Sequence, residues 1–288
     1  MERALQIWEK LRVLDEKARL CQNYALILFD SGDLKRASQL AREAFRMNAS
    51  LGRKAGLLSS RILLGAISLA TGAWKDAVKE LEDVFGETTD GFQKSIIKRY
   101  LALAYCAGCD FEKALTEGEA SYRFAHGAED SEGEGQALLI MAEIHLRAGR
   151  TKDAIRVGKQ ALLRLGLTSS LLLAADAERV VGEALVLDGK VQEGIEKILS
   201  AIDNLRGADR SIYMAKAERA LASAYDIAGD YRSTDKYLKR ALEGFRASEA
   251  RYEYGLTLLT AAQCAKKRGS FVKARRFLSE AARIFKDL

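Results

Sequence analysis

The chain has 288 residues, 48% of them hydrophobic and 30% charged, and it contains no proline. That hydrophobic share excludes a disordered chain, and without proline nothing interrupts helices, so helix is expected almost throughout. The net charge of +6 is uneven, because residues 210–288 hold 17 of the 46 Lys/Arg but only 9 of the 40 Asp/Glu; the basic character belongs to the C-terminal third.

At the N-terminus, residues 1–10 mix charged and apolar side chains, unlike a signal peptide. No apolar run is long enough to span a membrane. The 4 cysteines, at 21, 106, 109 and 264, suggest no disulfide framework in a chain of this length, and a reducing, cytoplasmic setting is expected.

From residue 32 onward a short signature recurs: Gly, any residue, an aromatic or apolar residue, two polar residues, then a small one. It reads Gly32-Asp33-Leu34-Lys35-Arg36-Ala37 and Gly72-Ala73-Trp74-Lys75-Asp76-Ala77. It returns as Cys109-Asp110-Phe111-Glu112-Lys113-Ala114, where the glycine is displaced to Gly108, and again from Gly149, Gly189, Gly229 and Gly269. Five of the six intervals are 40 residues and one is 37. Seven residues before each start stands Ala25, Gly65, Ala102, Ala142, Gly182, Ala222 or Ala262. This is the pattern of a helix, a tight turn and a second helix, in which small residues on facing sides let the two backbones approach, and a left-handed residue caps the first helix. One such hairpin cannot bury its apolar face alone; stacked neighbours can.

The pattern resembles the tetratricopeptide repeat family over essentially the whole chain, in a long 40-residue variant of the kind found in bacterial signalling regulators and adaptor proteins. The later family alanine matches Ala44, Ala161, Ala201, Ala241 and Ala281, whereas Val84 and Ser121 depart from it. The resemblance implies an all-α fold, an α-solenoid built as a right-handed superhelix of antiparallel hairpins. Seven repeats are expected over residues 18–288. Residues 1–17 are read as the second helix of a preceding, incomplete hairpin and its connection. The expectation is a piece of a larger protein, or ends covered by a partner or by self-association. By composition, connections between repeats are expected at residues 86–91 and in the acidic, glycine-rich stretch 126–135.

Chemistry-bearing motifs are sparse. Cys106-Ala107-Gly108-Cys109 lacks the second Cys/His pair that zinc needs and the βαβ setting of a redox site. His145 and His126 are the 2 histidines, and neither belongs to a nucleophile–base set. Gly133-Glu134-Gly135 lacks a third glycine and is acidic, so it is no phosphate loop. No catalytic, cofactor-binding or metal residues are expected, and the chain reads as a non-enzyme.

The family resemblance places partners on the concave face lined by first helices. Carried over position by position, the groove candidates are Ile62, Leu69, Arg99, Leu103, Glu143, Arg179, Glu183, Lys216, Arg219 and Lys266. The expected function is a protein–protein interaction scaffold binding a peptide or protein segment, in the manner of the sensory or assembly region of a signalling regulator. An alternative is a nucleic-acid-binding solenoid using the basic C-terminal third, where Lys266, Lys267, Arg268, Lys273, Arg275 and Arg276 fall within a short acid-free stretch. A second alternative is a small-ligand sensor.

Overall fold

The computed structural model describes residues 14–206 and 212–288. Among them are fourteen α-helices and no strand. They alternate as first and second helices of hairpins: α1 (Leu14–Asp30) with α2 (Leu34–Ser50), α3 (Lys54–Thr71) with α4 (Trp74–Glu87), α5 (Gly91–Ala107) with α6 (Phe111–Gly127), and α7 (Ser131–Arg147) with α8 (Thr151–Leu165). The series continues as α9 (Leu171–Leu187) with α10 (Val191–Asn204), α11 (Ile212–Ala228) with α12 (Tyr231–Ala247), and α13 (Arg251–Lys267) with α14 (Phe271–Lys286). Each helix packs on the next, and each first helix also touches the following first helix. This is an α-solenoid of antiparallel hairpins.

The turn signature is visible in the backbone. Gly32, Gly72, Gly149, Gly189, Gly229 and Gly269 have φ between 73° and 106°, in the left-handed region that ends the first helix. The second helix follows at once, and Asp33, Asp110 and Asp230 cap it by accepting the N–H groups of Arg36, Lys113 and Ser233 at 3.1, 3.2 and 3.1 Å. In the third hairpin Cys109 itself takes the left-handed conformation, with φ of 62°. Gly108 before it is held to glycine for another reason: a Cβ there would sit 2.9 Å from the Trp74 ring. Cys109→Gly is therefore expected to raise stability by about 1 kcal/mol, because a side chain is unfavourable in that conformation. A urea midpoint no higher than that of the parent protein refutes this.

The small positions lie where the paired helices cross. Ala25, Ala102, Ala142 and Ala222 have no exposed surface, nor do Ala37, Ala77, Ala114 and Ala154 on the facing second helices. The tightest crossing is in the fifth hairpin, where a Cβ on Gly194 would lie 2.5 Å from the carbonyl oxygen of Gly182.

Two sequence expectations are corrected. The connection expected over 126–135 is confined to residues 128–130: α6 runs through His126 and Gly127, and α7 begins at Ser131. Asp130 caps α7 by accepting the Gly133 N–H at 2.9 Å. Gly133 and Gly135 are buried in its first turns, and a Cβ on Gly135 would meet Leu165 at 2.8 Å. These glycines mark close packing rather than a flexible link. Of the segment expected to be an earlier second helix, residues 1–13 lie outside the described residues, and residues 14–17 already belong to α1, whose first turn carries Asp15 and Glu16.

The stack curls until it meets itself. The helix α13 packs against α3 as well as against its neighbours. Phe29, Leu34 and Ala70 from the first two hairpins share an apolar cluster with Ala215, Ala241, Phe245, Ala250 and Tyr254 from the last ones. The first helices thereby form the wall of a bore.

Candidate functional site

The bore holds a cavity of about 980 Å³ lined by residues from Gln22 to Glu253, so that every first helix or the connection leading into it contributes to its wall. One side is apolar, with Leu26, Phe29, Ile62, Leu69, Phe92 and Leu103 on α1, α3 and α5. The other side is charged.

The charged side is a connected network on α7, α9, α11 and α13. Arg179 is almost completely buried; it donates to Asp176 at 2.6 Å, Glu183 at 3.0 Å and Glu143 at 3.1 Å. Glu143 also accepts from Arg147 at 2.9 Å and lies 3.6 Å from the Lys216 ammonium. Arg219 donates to Glu253 at 2.6 Å. Burial pushes the Glu143 and Glu253 carboxyls up, but the surrounding cations outweigh it. Lys216, Arg179, Arg147 and Arg219 hold Glu143 well below its ordinary range, and Arg219, Lys216 and Arg147 hold Glu253 at about 2.

Near this network Asp30, Tyr100 and Tyr213 line the cavity with Arg99. Asp30 reaches the cavity's solvent yet is walled in on most sides. That enclosure raises its carboxyl to about 6, against the opposing pull of Arg99 and with a further push from Glu132. Burial also raises the Tyr100 and Tyr213 hydroxyls. The wall has seven carboxylates (Asp30, Asp90, Asp130, Glu132, Glu143, Asp176 and Glu253) and three cations (Arg99, Arg147 and Lys216) among the described residues. A chain of net charge +6 thus lines its bore with more carboxylates than cations, although Arg179 and Arg219 behind the wall pair with three of them.

Six of the ten groove candidates line this cavity: Ile62, Leu69, Arg99, Leu103, Glu143 and Lys216. Arg179, Glu183 and Arg219 stand behind the wall in the ion network. Lys266 is exposed on the last turn of α13 and lies outside the wall. Sequence reasoning missed Arg147, although its position four residues after Glu143 puts both on one helix face. It also missed Asp30, Tyr213, Tyr252 and Glu253, although the repeat spacing marks them: Asp30 is equivalent to Ala70, Ala107 and Arg147, Tyr252 to Phe92 and Glu132, and Tyr213 and Glu253 to Gln93 and Gly133, all of which line the wall.

The other candidates fall into structural roles. Cys106 is buried in the cavity wall, with its thiol raised to about 11 mainly by that burial, and Cys109 is an exposed turn residue. His145 is half-buried, and burial lowers its pKa. Within the basic cluster Arg268 is tied to Asp226 and Asp235 at 3.0 and 2.7 Å, and Lys267 to Asp226 at 3.2 Å. Part of that positive surface is thus neutralised. Among the described residues no helix is long and apolar enough to cross a membrane, and no three His, Cys, Asp or Glu side chains are grouped to hold a metal.

No protein-family model matches the chain, and no curated protein matches it in sequence. Solved structures do match in shape. A Rap protein complexed with competence and sporulation factor superposes with a TM-score of 0.71 at 15% identity, over 94% of this chain and 78% of that one. NprR in complex with its cognate peptide NprX gives 0.62 at 14% identity, over 93% and 78%. A signal-transduction ATPase with a tetratricopeptide repeat sensor, from Pyrococcus horikoshii, gives 0.61 at 15% identity, over 93% of this chain and 41% of that one. At these identities the likeness is one of architecture, and with the hairpins, turns and small-residue crossings described above it shows that the chain has the tetratricopeptide-type helical-repeat fold.

Proposed function

We propose that the chain is a non-catalytic interaction scaffold that holds a peptide or extended protein segment in its bore, as the sensory part of a signalling regulator would. The observation that carries this reading is the solvent-open cavity spanning all seven hairpins, with an apolar side for hydrophobic anchors and a charged side for polar groups. Its volume lies at the top of the range for small-molecule pockets, which favours a longer occupant. The similar structures that hold competence and sporulation factor or the NprX peptide support the same reading. Counting Arg179 and Arg219 behind the wall, seven carboxylates face five cations, and this smaller surplus favours an occupant with apolar side chains and positive charge.

Synthetic short-peptide pools, apolar at most positions with one position fixed as Arg or as Glu, test this by thermal shift and calorimetry. The Arg pool is expected to stabilise the protein and the Glu pool to do so weakly. Leu103→Glu and Asp30→Lys are each expected to weaken the best peptide more than tenfold. Because Asp30 takes up a proton near pH 6, affinity for the cationic peptide should fall as the pH drops below that value. No stabilisation by any pool, together with no protein or peptide recovered by crosslinking, refutes the scaffold reading.

A further inference from the structure

In a stacked-repeat protein each unit contacts its neighbours. Here the first helix of the last hairpin also meets the first helix of the second, and its N-terminal end reaches α5 and α7. Across that seam Arg147 donates to Tyr252 at 3.2 Å and to Glu253 at 3.4 Å, and the Tyr252 hydroxyl donates to the Ala107 carbonyl at 3.5 Å. The apolar part of the seam seats Leu34 and Phe29 with Phe245 and Ala250. Arg147, Tyr252, Glu253 and Ala250 all line the cavity, so the seam is part of its wall.

We propose that this seam is a clasp, which opens reversibly while every hairpin stays folded, and that its opening admits the occupant to the bore. The inference rests on the reading of the bore as the binding site. Three observations carry it. First, the polar contacts across the seam are the long ones, and each charged member has a nearer partner on its own side: Arg147 keeps Glu143 at 2.9 Å, and Glu253 keeps Arg219 at 2.6 Å. Parting the seam leaves no buried charge alone, so the large penalty for an orphaned ion does not arise. Second, three to six hairpin interfaces separate the residues that meet across the seam. A small rotation at each adds up to a gap without breaking any hairpin core, the ordinary way in which packed helices shear. Third, elsewhere the wall is made of consecutive first helices joined through their own hairpins, whereas the seam has no such covalent continuity.

The native cysteines supply the test. Cys21, Cys106 and Cys264 are all buried in apolar clusters, but only Cys106 also lines the bore; Cys21, with no exposed surface, is the reference for unfolding, since Cys264 is slightly more exposed than Cys106. In a Cys109→Gly background, labelling by a bulky maleimide is followed site by site by mass spectrometry in native buffer. A clasp makes Cys106 react at least tenfold faster than Cys21. Leu34→Ala and Tyr252→Ala, which loosen opposite ends of the seam, each accelerate Cys106 several-fold further and leave the other two sites unmoved. Labelling of Cys106 only together with Cys21 would mean that the bore opens by unfolding alone, and the clasp is then wrong; so is it if both variants leave Cys106 unchanged. If one variant fails to fold, the other still decides, because only a seam substitution separates opening of the clasp from direct access to Cys106. No ligand enters the experiment, so its failure leaves the peptide-binding reading to its own test.

Discussion

Gly194→Ala is expected to cost about 3 kcal/mol, at the upper end for overpacking a core. The added Cβ would lie 2.5 Å from the Gly182 carbonyl oxygen and 2.9 Å from the Val186 backbone nitrogen. These are backbone atoms, so no rotamer change relieves the contact, and α9 and α10 must move apart. The facing position is equally tight, since a Cβ on Gly182 would meet the Gly194 carbonyl oxygen at 2.9 Å. The contrast is Gly86, which lies in α4 with nothing within 4 Å of the built Cβ. There the same substitution is expected to stabilise by up to about 1 kcal/mol through helix propensity. Urea titration measures both, and hydrogen exchange should show protection lost first in α9 and α10, because coupling along a stack is local. Equal stabilities for Gly194→Ala and Gly86→Ala would rule out the close crossing.

Arg179→Met is expected to destabilise by about 3–5 kcal/mol at neutral pH, the usual cost of removing one partner from a buried charge network. The substitution takes a cation away from Asp176, Glu143 and Glu183 together, and the first two are buried. Lys at this position restores charge but cannot donate in a fixed plane to three carboxylates, so it should recover only part of the loss. The pH dependence separates this from a packing defect. Folded-state carboxyls held below their ordinary 4.5, as Glu143 and Glu253 are, contribute stability that is complete above that value. It drains away as the pH falls, toward about 2 for Glu253. Asp30 acts in the opposite sense: raised from 3.8 to about 6, it contributes stability below 3.8 that is lost as the pH rises through 6. In Arg179→Met the stranded carboxylates favour protonation, so the deficit against the parent protein should shrink between pH 7 and pH 5. A deficit of the same size at both values points to lost packing instead.

Much of the fold was legible because its determinants are local. A glycine every 40 residues, a small residue seven positions earlier and another five positions later specify a capped helix and a close crossing without reference to distant residues. The exception at Cys109 was legible as a displacement, but not as a left-handed cysteine, because the reason for Gly108 is the Trp74 ring of the preceding hairpin. The acidic glycine stretch misled for a similar reason: Gly133 and Gly135 read as breakers, yet they serve packing inside α7, where Asp130 supplies the cap.

The sequence alone determined the hairpin, the turn and the repeat, since each depends on residues within one unit and on the fixed geometry of the helix. The family resemblance also placed Ile62, Leu69, Arg99, Leu103, Glu143 and Lys216 on the inward face, but Arg179, Glu183 and Arg219 at equivalent repeat positions stand behind the wall. Only the tertiary structure decided that the stack closes on itself, that Arg147 meets Tyr252 and Glu253 more than a hundred residues away, and that the wall carries more carboxylates than cations in a basic chain. The physical reason is accumulation. Closure is the sum of small rotations at successive interfaces, each set by side-chain packing, and no spacing in the sequence records that sum.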